Sequence, residues 1–148
     1  MPEKPEIKKI AVVRVRGMVA HSSKVDQTFD MINLGNKNWC VVLDNNPSMM
    51  GMINKVKDYV TWGEISEEVF KELVEKRADP FNERLEDSNS KIKYTNYFVY
   101  DGKKYKKAIR LAPPRKGYGR KGIKYSFVNG GSLGGRGDKI NDLIKRMI

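Results

Sequence analysis

The chain has 148 residues, of which 39% are apolar, so it is long enough and apolar enough to form a folded domain with a core. No apolar run approaches the ~18 residues that a membrane span needs, and the opening segment MPEKPEIKK contains no apolar signal core. One cysteine and one histidine exclude an intrachain disulfide and argue against a Cys/His zinc site.

The net charge of +11 is concentrated toward the C-terminus. Residues 91–148 carry sixteen Lys/Arg against three Asp/Glu, residues 63–90 carry four against nine, and residues 1–62 carry nine against six. Such a concentrated positive block indicates a polyanionic partner. Nucleic acid is the commonest partner of this kind, and an anionic membrane surface is a weaker alternative because no basic amphipathic helix accompanies the charge.

Residues 1–62 have the pattern of a compact βαβαβ unit. The spacing predicts a first strand from Ile7 to Arg16, in which Lys8, Arg14 and Arg16 share one face. If helices cover only one side of the sheet, these cations lie on its open side and are available to a ligand.

The next elements follow from helical spacing and from turn residues. Val25, Phe29 and Ile32 predict a first helix, and Gly35 falls where its C-terminal cap is expected. The continuously apolar stretch Trp39 to Leu43 predicts a central strand. Its cysteine, Cys40, is interpreted as a small buried hydrophobe and not as a reactive thiol.

The second helix of the unit begins at Asn46, a cap residue, followed by Pro47 in the first turn. Its apolar stripe comprises Met50, Ile53 and Val56. Methionines at this spacing are typical of a core and not of a ligand site. Tyr59 to Trp62 then predicts the third strand.

An acidic helical segment occupies residues 63–90. Ser66 can cap this helix, Glu67 and Glu68 suit its positive end, and Asp79-Pro80 predicts where it stops. Its apolar face comprises Val69, Phe70, Leu73 and Val74. We interpret the acids as a solvated face, since no apolar pocket is visible that would tune a catalytic pair.

The C-terminal part combines a hairpin, an irregular stretch and a final helix. Asp101-Gly102 predicts the turn of a hairpin over residues 91–105. Residues 112–137 are rich in Gly, Pro and cations and are expected to be mostly irregular. Asp138 is the expected cap of a helix ending at Met147. The apolar face of this helix comprises Ile140, Leu143, Ile144 and Met147.

The segment from Lys103 to Lys124 carries ten cations and no acid. The cations are Lys103, Lys104, Lys106, Lys107, Arg110, Arg115, Lys116, Arg120, Lys121 and Lys124. Phosphates would supply the missing counter-charge, and Tyr105 and Tyr118 could stack on exposed bases. A solvated basic loop in an unrelated protein is the alternative.

Two glycine patterns nearby do not support a nucleotide cofactor. Gly117, Gly119 and Gly122 match G-x-G-x-x-G, but Pro-Pro-Arg-Lys precedes them and a strand-like segment follows, so the βαβ context is missing. The second pattern, Gly130 and Gly135 separated by four residues, resembles the start of a P-loop. It continues with Arg136-Gly137, whereas a P-loop continues with Lys and then Ser or Thr. We interpret GGSLGGRG as a flexible turn whose backbone amides and Arg136 can meet RNA phosphates.

Several segments together resemble a known family. IAVVRVRG, TFDMINL, WCVVLDNNPSMMGMINKVKDYVTWGEI, RLAPPRKG and GGSLGGRGDKINDLI are similar to the large-subunit ribosomal protein numbered thirty in the bacterial scheme. The resemblance is to its longer archaeal form, which is related to the eukaryotic large-subunit protein numbered seven. Residues 7–62 resemble the short bacterial version, and residues 63–148 resemble the archaeal and eukaryotic extension.

The resemblance implies an α+β fold. Residues 1–62 would form a ferredoxin-like βαβαβ core, with an antiparallel three-stranded sheet and helices on one face. Residues 63–148 would form the extension that binds RNA. The implied role is that of a cytoplasmic, structural constituent of the large ribosomal subunit that binds large-subunit ribosomal RNA beside neighbouring ribosomal proteins. It implies no enzymatic activity, cofactor, metal, membrane or small-molecule substrate.

The residues expected to bind RNA are the ten cations of Lys103–Lys124 together with Arg14, Arg16, Tyr118 and Arg136. Two alternatives stay open on the residues alone. A free-standing RNA-binding module, such as an RNA chaperone, would have the same basic block. An enzyme acting on nucleic acid would need clustered carboxylates, and the candidates Asp44, Asp58 and Asp101 are joined by no recognisable spacing.

Overall fold

A five-stranded sheet lies at the centre of the computed structural model, which describes residues 9–17, 23–82, 84–86, 88–91 and 97–148. The strands are β1 (Lys9–Arg14), β2 (Trp39–Asp44), β3 (Val60–Glu64), β4 (Tyr97–Tyr100), β5 (Lys103–Lys106), β6 (Ile109–Arg110) and β7 (Gly134–Gly135). The α-helices are α1 (Ser23–Met31), α2 (Pro47–Lys55), α3 (Glu67–Arg77) and α4 (Ile140–Met147). The sheet order is β6-β2-β1-β3-β7, and β4 pairs with β5 separately.

The strand β1 is the middle strand, and five of its six side chains are buried. It pairs antiparallel with β2 on one side and with β3 on the other. A nearly continuous apolar strand is what burial on both faces requires. The predicted βαβαβ order and its antiparallel three-stranded core are therefore confirmed, although the predicted start of the strand at Ile7 and Lys8 lies outside the described residues.

Different parts of the chain cover the two faces of the sheet. On one face, Ile10 and Val12 pack with apolar residues of α1 and α2. On the other face, Ala11 and Val13 pack with apolar residues of α3 and α4. The expectation of an open sheet face is wrong, because the helices of residues 63–148 close it. Cys40 is fully buried in this second cluster, where burial raises the pKa of its thiol to about 12.

Residues 63–148 also extend the sheet itself. The strand β6 pairs antiparallel with β2, placing Ile109 opposite Cys40. The strand β7 pairs parallel with β3, placing Gly134 opposite Thr61. The sheet is therefore mixed and five-stranded, not purely antiparallel and three-stranded. Since both halves supply strands to one sheet, a boundary at residue 62 stays a prediction.

Two of the predicted helix starts are confirmed by their capping bonds. The Asn46 side chain accepts a hydrogen bond from the Met49 amide at 2.8 Å, and the Ser66 hydroxyl accepts one from the Val69 amide at 3.4 Å. The predicted cap at Asp138 is wrong, since a 3₁₀ turn over Gly137–Lys139 precedes α4 and no side chain caps it.

The C-terminal end of α1 differs from the prediction at Gly35. Asn33 adopts the left-handed conformation, with φ of 61°. The Leu34 amide then donates to the Phe29 carbonyl at 3.0 Å, and the Asn33 amide donates to the Asp30 carbonyl. This pair of bonds defines a Schellman motif. The capping residue is an asparagine, which tolerates this conformation better than other side chains do.

The hairpin β4–β5 has the predicted turn. Asp101 and Gly102 both have positive φ, as a two-residue type I′ turn requires. The Tyr100 ring packs edge-on against Phe70 of α3, with 5.3 Å between centroids. Residues 92–96 of the predicted hairpin lie outside the described part of the chain.

Residues 112–137 contain only short regular elements, namely a 3₁₀ turn over Phe127–Asn129 and the strand β7, as predicted. Within the described ranges, no helix has the length and apolar character needed to cross a membrane.

A close approach at Gly63 generates a stability prediction. A Cβ at Gly63 would overlap the Gly137 carbonyl oxygen and would lie 2.8 Å from Cβ of Ile140. We expect Gly63→Ala to lower the free energy of unfolding in urea by about 1–3 kcal/mol through overpacking between β3 and the start of α4.

Gly51→Ala is the matched control. Gly51 lies inside α2 with no neighbour within 4 Å of the position of a Cβ. The same substitution should raise the free energy of unfolding there by about 0.5–1 kcal/mol, because alanine loses less conformational entropy in a helix. Equal effects at the two sites would contradict the packing of α4 on β3.

Candidate nucleic-acid interface

The strand β5 presents the first group of cations. Lys103, Lys104 and Lys106 are exposed on it. The segment that follows α3 fixes the backbone of this strand, because the Lys106 amide donates to the Asp79 carbonyl at 2.9 Å and the Phe81 amide donates to the Lys104 carbonyl at 3.0 Å. These lysines therefore project from an anchored strand.

The loop that follows β6 presents the second group, comprising Arg115, Lys116, Arg120, Lys121 and Lys124, all exposed. The C-terminal end of α4 anchors the start of this loop. The Arg146 guanidinium donates to the carbonyls of Arg115 and Gly117 at 3.1 and 2.7 Å, and the Arg115 amide donates to the Arg146 carbonyl at 3.1 Å. We call the two groups together the basic surface.

Three further cations of the predicted set are less available. Arg110 is exposed, but its guanidinium forms an ion pair with the Asp79 carboxylate at 3.0 Å. Lys107 is half-buried. Arg16 is also half-buried, and its guanidinium lies 5.5 Å from the ring centre of Tyr59. We therefore do not include these three side chains in the basic surface.

Arg14 is buried, with 1% of its surface exposed, because it lies on the face of β1 that α1 and α2 cover. The expectation that this arginine lies on an open sheet face is wrong. Its guanidinium donates to the Leu34 carbonyl at 2.7 Å and to the Arg16 carbonyl at 3.0 Å. It also lies 3.8 Å from the ring centre of Phe29. Burial lowers the pKa of Arg14, and Asp26 and Asp30 oppose that shift. The side chain therefore holds the end of α1 against β1.

Arg136 is also buried, with 7% of its surface exposed, which does not fit its predicted role as a phosphate ligand. Its guanidinium donates to the Thr61 hydroxyl at 2.8 Å and to the carbonyls of Tyr118 and Ser132 at 3.0 and 3.2 Å. The guanidinium carbon lies 4.7 Å from the ring centre of Phe127.

The electrostatic surroundings of Arg136 are unfavourable to its charge. Burial lowers the pKa of Arg136 to about 10, and the nearby charge of Arg146 adds to the decrease. The group nevertheless stays protonated at neutral pH. Its guanidinium donates its hydrogen bonds to oxygen atoms inside the protein. Arg136 therefore links β3 to the loop that carries part of the basic surface.

Tyr118 has a structural role that differs from the base stacking expected of it. Its ring packs beside the core cluster under α3 and α4, and its hydroxyl donates to the Asn38 side-chain oxygen. Burial raises the pKa of Tyr118 to about 12, against the opposing influence of Arg136. Tyr105, the other expected stacking residue, packs on Phe98 with 5.7 Å between ring centres.

The segment GGSLGGRG is a bonded turn and not a flexible one. The Gly131 amide donates to the Ser126 carbonyl at 2.8 Å, and the amides of Ser132 and Leu133 donate to the Tyr125 carbonyl at 2.9 and 3.1 Å. These amides are therefore not available to phosphates, which corrects the expectation that they meet RNA.

The candidates for enzymatic chemistry do not assemble. Asp44, Asp58 and Asp101 are all exposed. In the part of the chain that the structure describes, no three His, Cys, Asp or Glu side chains are grouped so as to hold a metal ion. What the arrangement offers chemically is a set of exposed amines and guanidinia on anchored backbone.

Sequence reasoning missed Arg146 and Asn38, which hold the loop from within. Arg146 lies in the last turn of the predicted C-terminal helix, and its bonds to two loop carbonyls are long-range contacts that no spacing reveals. Asn38 has φ of 66°, a conformation in which asparagine is enriched, but its bond to Tyr118 spans 80 positions.

The fold and the basic surface define a small α+β protein with a strongly basic C-terminal extension. Comparison with known proteins identifies the family. The family model described as ribosomal protein L30p/L7e matches residues 10–60. Three archaeal relatives named large ribosomal subunit protein uL30 are similar over most of the chain.

The relative from Methanopyrus kandleri is 38% identical over 90% of this chain and 100% of its own length. The relatives from Nanoarchaeum equitans and Methanococcus vannielii are 41% and 42% identical over 93% of this chain and cover 97% and 98% of their own lengths. The chain belongs to the ribosomal protein L30p/L7e family.

The contacts of Arg136 generate a prediction about the loop. Arg136→Met should lower the free energy of unfolding in urea by about 1–3 kcal/mol for each buried carbonyl left unpaired. It should also speed hydrogen exchange at the amides of Ser132 and Leu133. Arg120→Met removes an exposed arginine of the same loop and should change stability by no more than about 0.5 kcal/mol. Equal effects of the two substitutions would contradict the structural role of Arg136.

Proposed function

We propose that this chain is a structural constituent of the large ribosomal subunit and binds large-subunit ribosomal RNA through the basic surface. Membership of a ribosomal protein family supports the assignment to the ribosome. Two observations support the RNA contact. No acid lies between Lys103 and Gly137, and most cations in that stretch are exposed. RNA phosphates are the counter-charge that such a surface lacks.

The way the cations are held supports a preformed binding surface. Backbone and side-chain hydrogen bonds to the segment after α3 and to the end of α4 fix both groups. A surface that is already ordered loses less conformational entropy when it binds. The exposed acids of the first turn of α3, Glu67 and Glu68, would face solvent or a neighbouring ribosomal protein and not RNA.

The salt dependence of RNA binding tests this proposal. Changing Lys103, Lys106, Arg115 and Arg120 of the basic surface together to Gln should flatten the slope of log affinity against log salt concentration. Each lost phosphate contact lowers the slope by about 0.7–0.9, because fewer counterions are released. The measurement is a filter-binding titration of the full chain on large-subunit ribosomal RNA over a range of salt concentrations.

A second quadruple variant serves as the control. Lys24, Lys37, Lys55 and Lys57 are exposed lysines of residues 1–62, so changing them to Gln removes the same charge from elsewhere on the molecule. This control should leave most of the slope intact. If both variants flatten the slope equally, net charge and not the basic surface governs binding, and the proposed site is wrong.

A free-standing RNA chaperone would have the same basic surface, and the cellular distribution separates the two functions. A structural constituent should sediment with large subunits after a moderate-salt wash. Recovery mainly in the ribosome-free fraction would contradict the ribosomal role.

A further inference from the structure

The loop between Gly119 and Leu133 exposes apolar side chains among its cations. Val128 is 89% exposed, more than any other large apolar side chain in the described residues. Tyr125 is 54% exposed. Ile123 is also exposed, at 39%. Isolated exposed apolar residues are ordinary, but three within six positions of one loop indicate a contact surface.

Hydrogen bonds hold the backbone beneath these side chains in place. The Tyr125 carbonyl accepts two amides of the following turn, at 2.9 and 3.1 Å, and the Phe127 amide donates to the Leu133 carbonyl at 2.7 Å. Phe127 turns inward under the guanidinium of Arg136, whereas its neighbour Val128 turns outward. Tyr125 and Val128 therefore project from a hydrogen-bonded turn, and the fold itself determines their exposure.

The surroundings of Tyr125 are positively charged. Nζ of Lys121 lies 5.7 Å from the centre of the Tyr125 ring, and Arg120 and Lys124 are exposed in the same loop. An apolar protein partner would require these charges to be matched by acids, whereas RNA supplies phosphates beside flat aromatic bases. A ring beside cations is a common means of binding unstacked bases.

We propose that Tyr125, supported by Val128, is a stacking site for an unpaired RNA base. The site rests on the proposed function and deepens it, because it adds contact with bases to the contact of the basic surface with phosphates. Stacking on a base tolerates any sequence, since every base has a π face. It distinguishes an unpaired base from a paired one, which is a discrimination that the cations alone do not make.

The test uses the full-length protein and two RNA hairpins. One hairpin has an uninterrupted stem, and the other carries a single unpaired 2-aminopurine in the same stem. The protein should bind the second about fivefold or more tightly, as expected of one base stacked on an aromatic ring. Binding should also change the emission of 2-aminopurine, whose fluorescence reports stacking.

Tyr125→Leu should abolish both the preference and the emission change without altering the salt slope, since no cation is lost. Tyr125→Phe keeps the ring and should keep both. Val128→Ser should weaken the preference, whereas Val99→Ser, which changes a valine of β4 that is 61% exposed, should not. Circular dichroism of each variant checks that the fold is intact.

The results that overturn the stacking site differ from those that overturn the proposed function. Retention of the preference by Tyr125→Leu, or an equal loss of affinity for both hairpins, would overturn the stacking site alone. If Tyr125→Leu left RNA binding unchanged but reduced incorporation into large subunits, the stacking site would also be overturned. The exposed surface around Tyr125 would then be assigned to contact with a neighbouring protein. If the unmodified protein bound neither hairpin in a salt-dependent way, the proposed function itself would fail.

Discussion

The buried guanidinium of Arg136 joins β3, the loop that carries five of the eight cations of the basic surface, and the turn before β7. Its partners are the Thr61 hydroxyl and the carbonyls of Tyr118 and Ser132, which lie 75, 18 and 4 positions away along the chain. Few other side chains can serve three such acceptors, because the guanidinium presents five donors in a rigid plane. A buried cation thus holds in place the loop whose exposed cations are proposed to bind RNA.

The same principle applies at the opposite side of the sheet, where Arg14 joins β1 to the end of α1. Arg14 is in the interior because it lies, with Ile10 and Val12, on the face of the sheet that α1 and α2 cover. Arg136 reaches Thr61 on the other face. The helices α3 and α4 cover the side that a three-stranded core would leave to solvent, and β6 and β7 widen the sheet beneath them. The extension is therefore part of the core, and the proposed RNA contact moves from the sheet to the loops beyond it.

Local patterns were sufficient to predict much of the fold. The capping side chains of Asn46 and Ser66, the apolar face of α4 and the Asp101-Gly102 turn all depend on neighbours within a few residues. The pairing of β7 with β3 and the closure of the second sheet face depend on contacts between distant residues, which a single sequence does not reveal. A family resemblance could suggest the core but not the details of these contacts.

The candidate site shows the same division. The exposed lysines of β5 and of the following loop were predictable, because a dense block of like charges is stable only at a surface. Arg14 and Arg136 were assigned to the same surface because charge is visible in a sequence, whereas the burial of one arginine among carbonyls and rings is not. Tyr125 was overlooked because nothing in its local sequence distinguishes an exposed ring from a packed one.

A map of protein–RNA cross-links in intact large subunits tests the central claim most directly, since it reports which side chains touch RNA without altering any of them. The account predicts cross-links at the exposed cations between Lys103 and Lys124 and at Tyr125, and none at Arg14 or Arg136. Cross-links concentrated on α1 and α2, or present at Arg136, would contradict it.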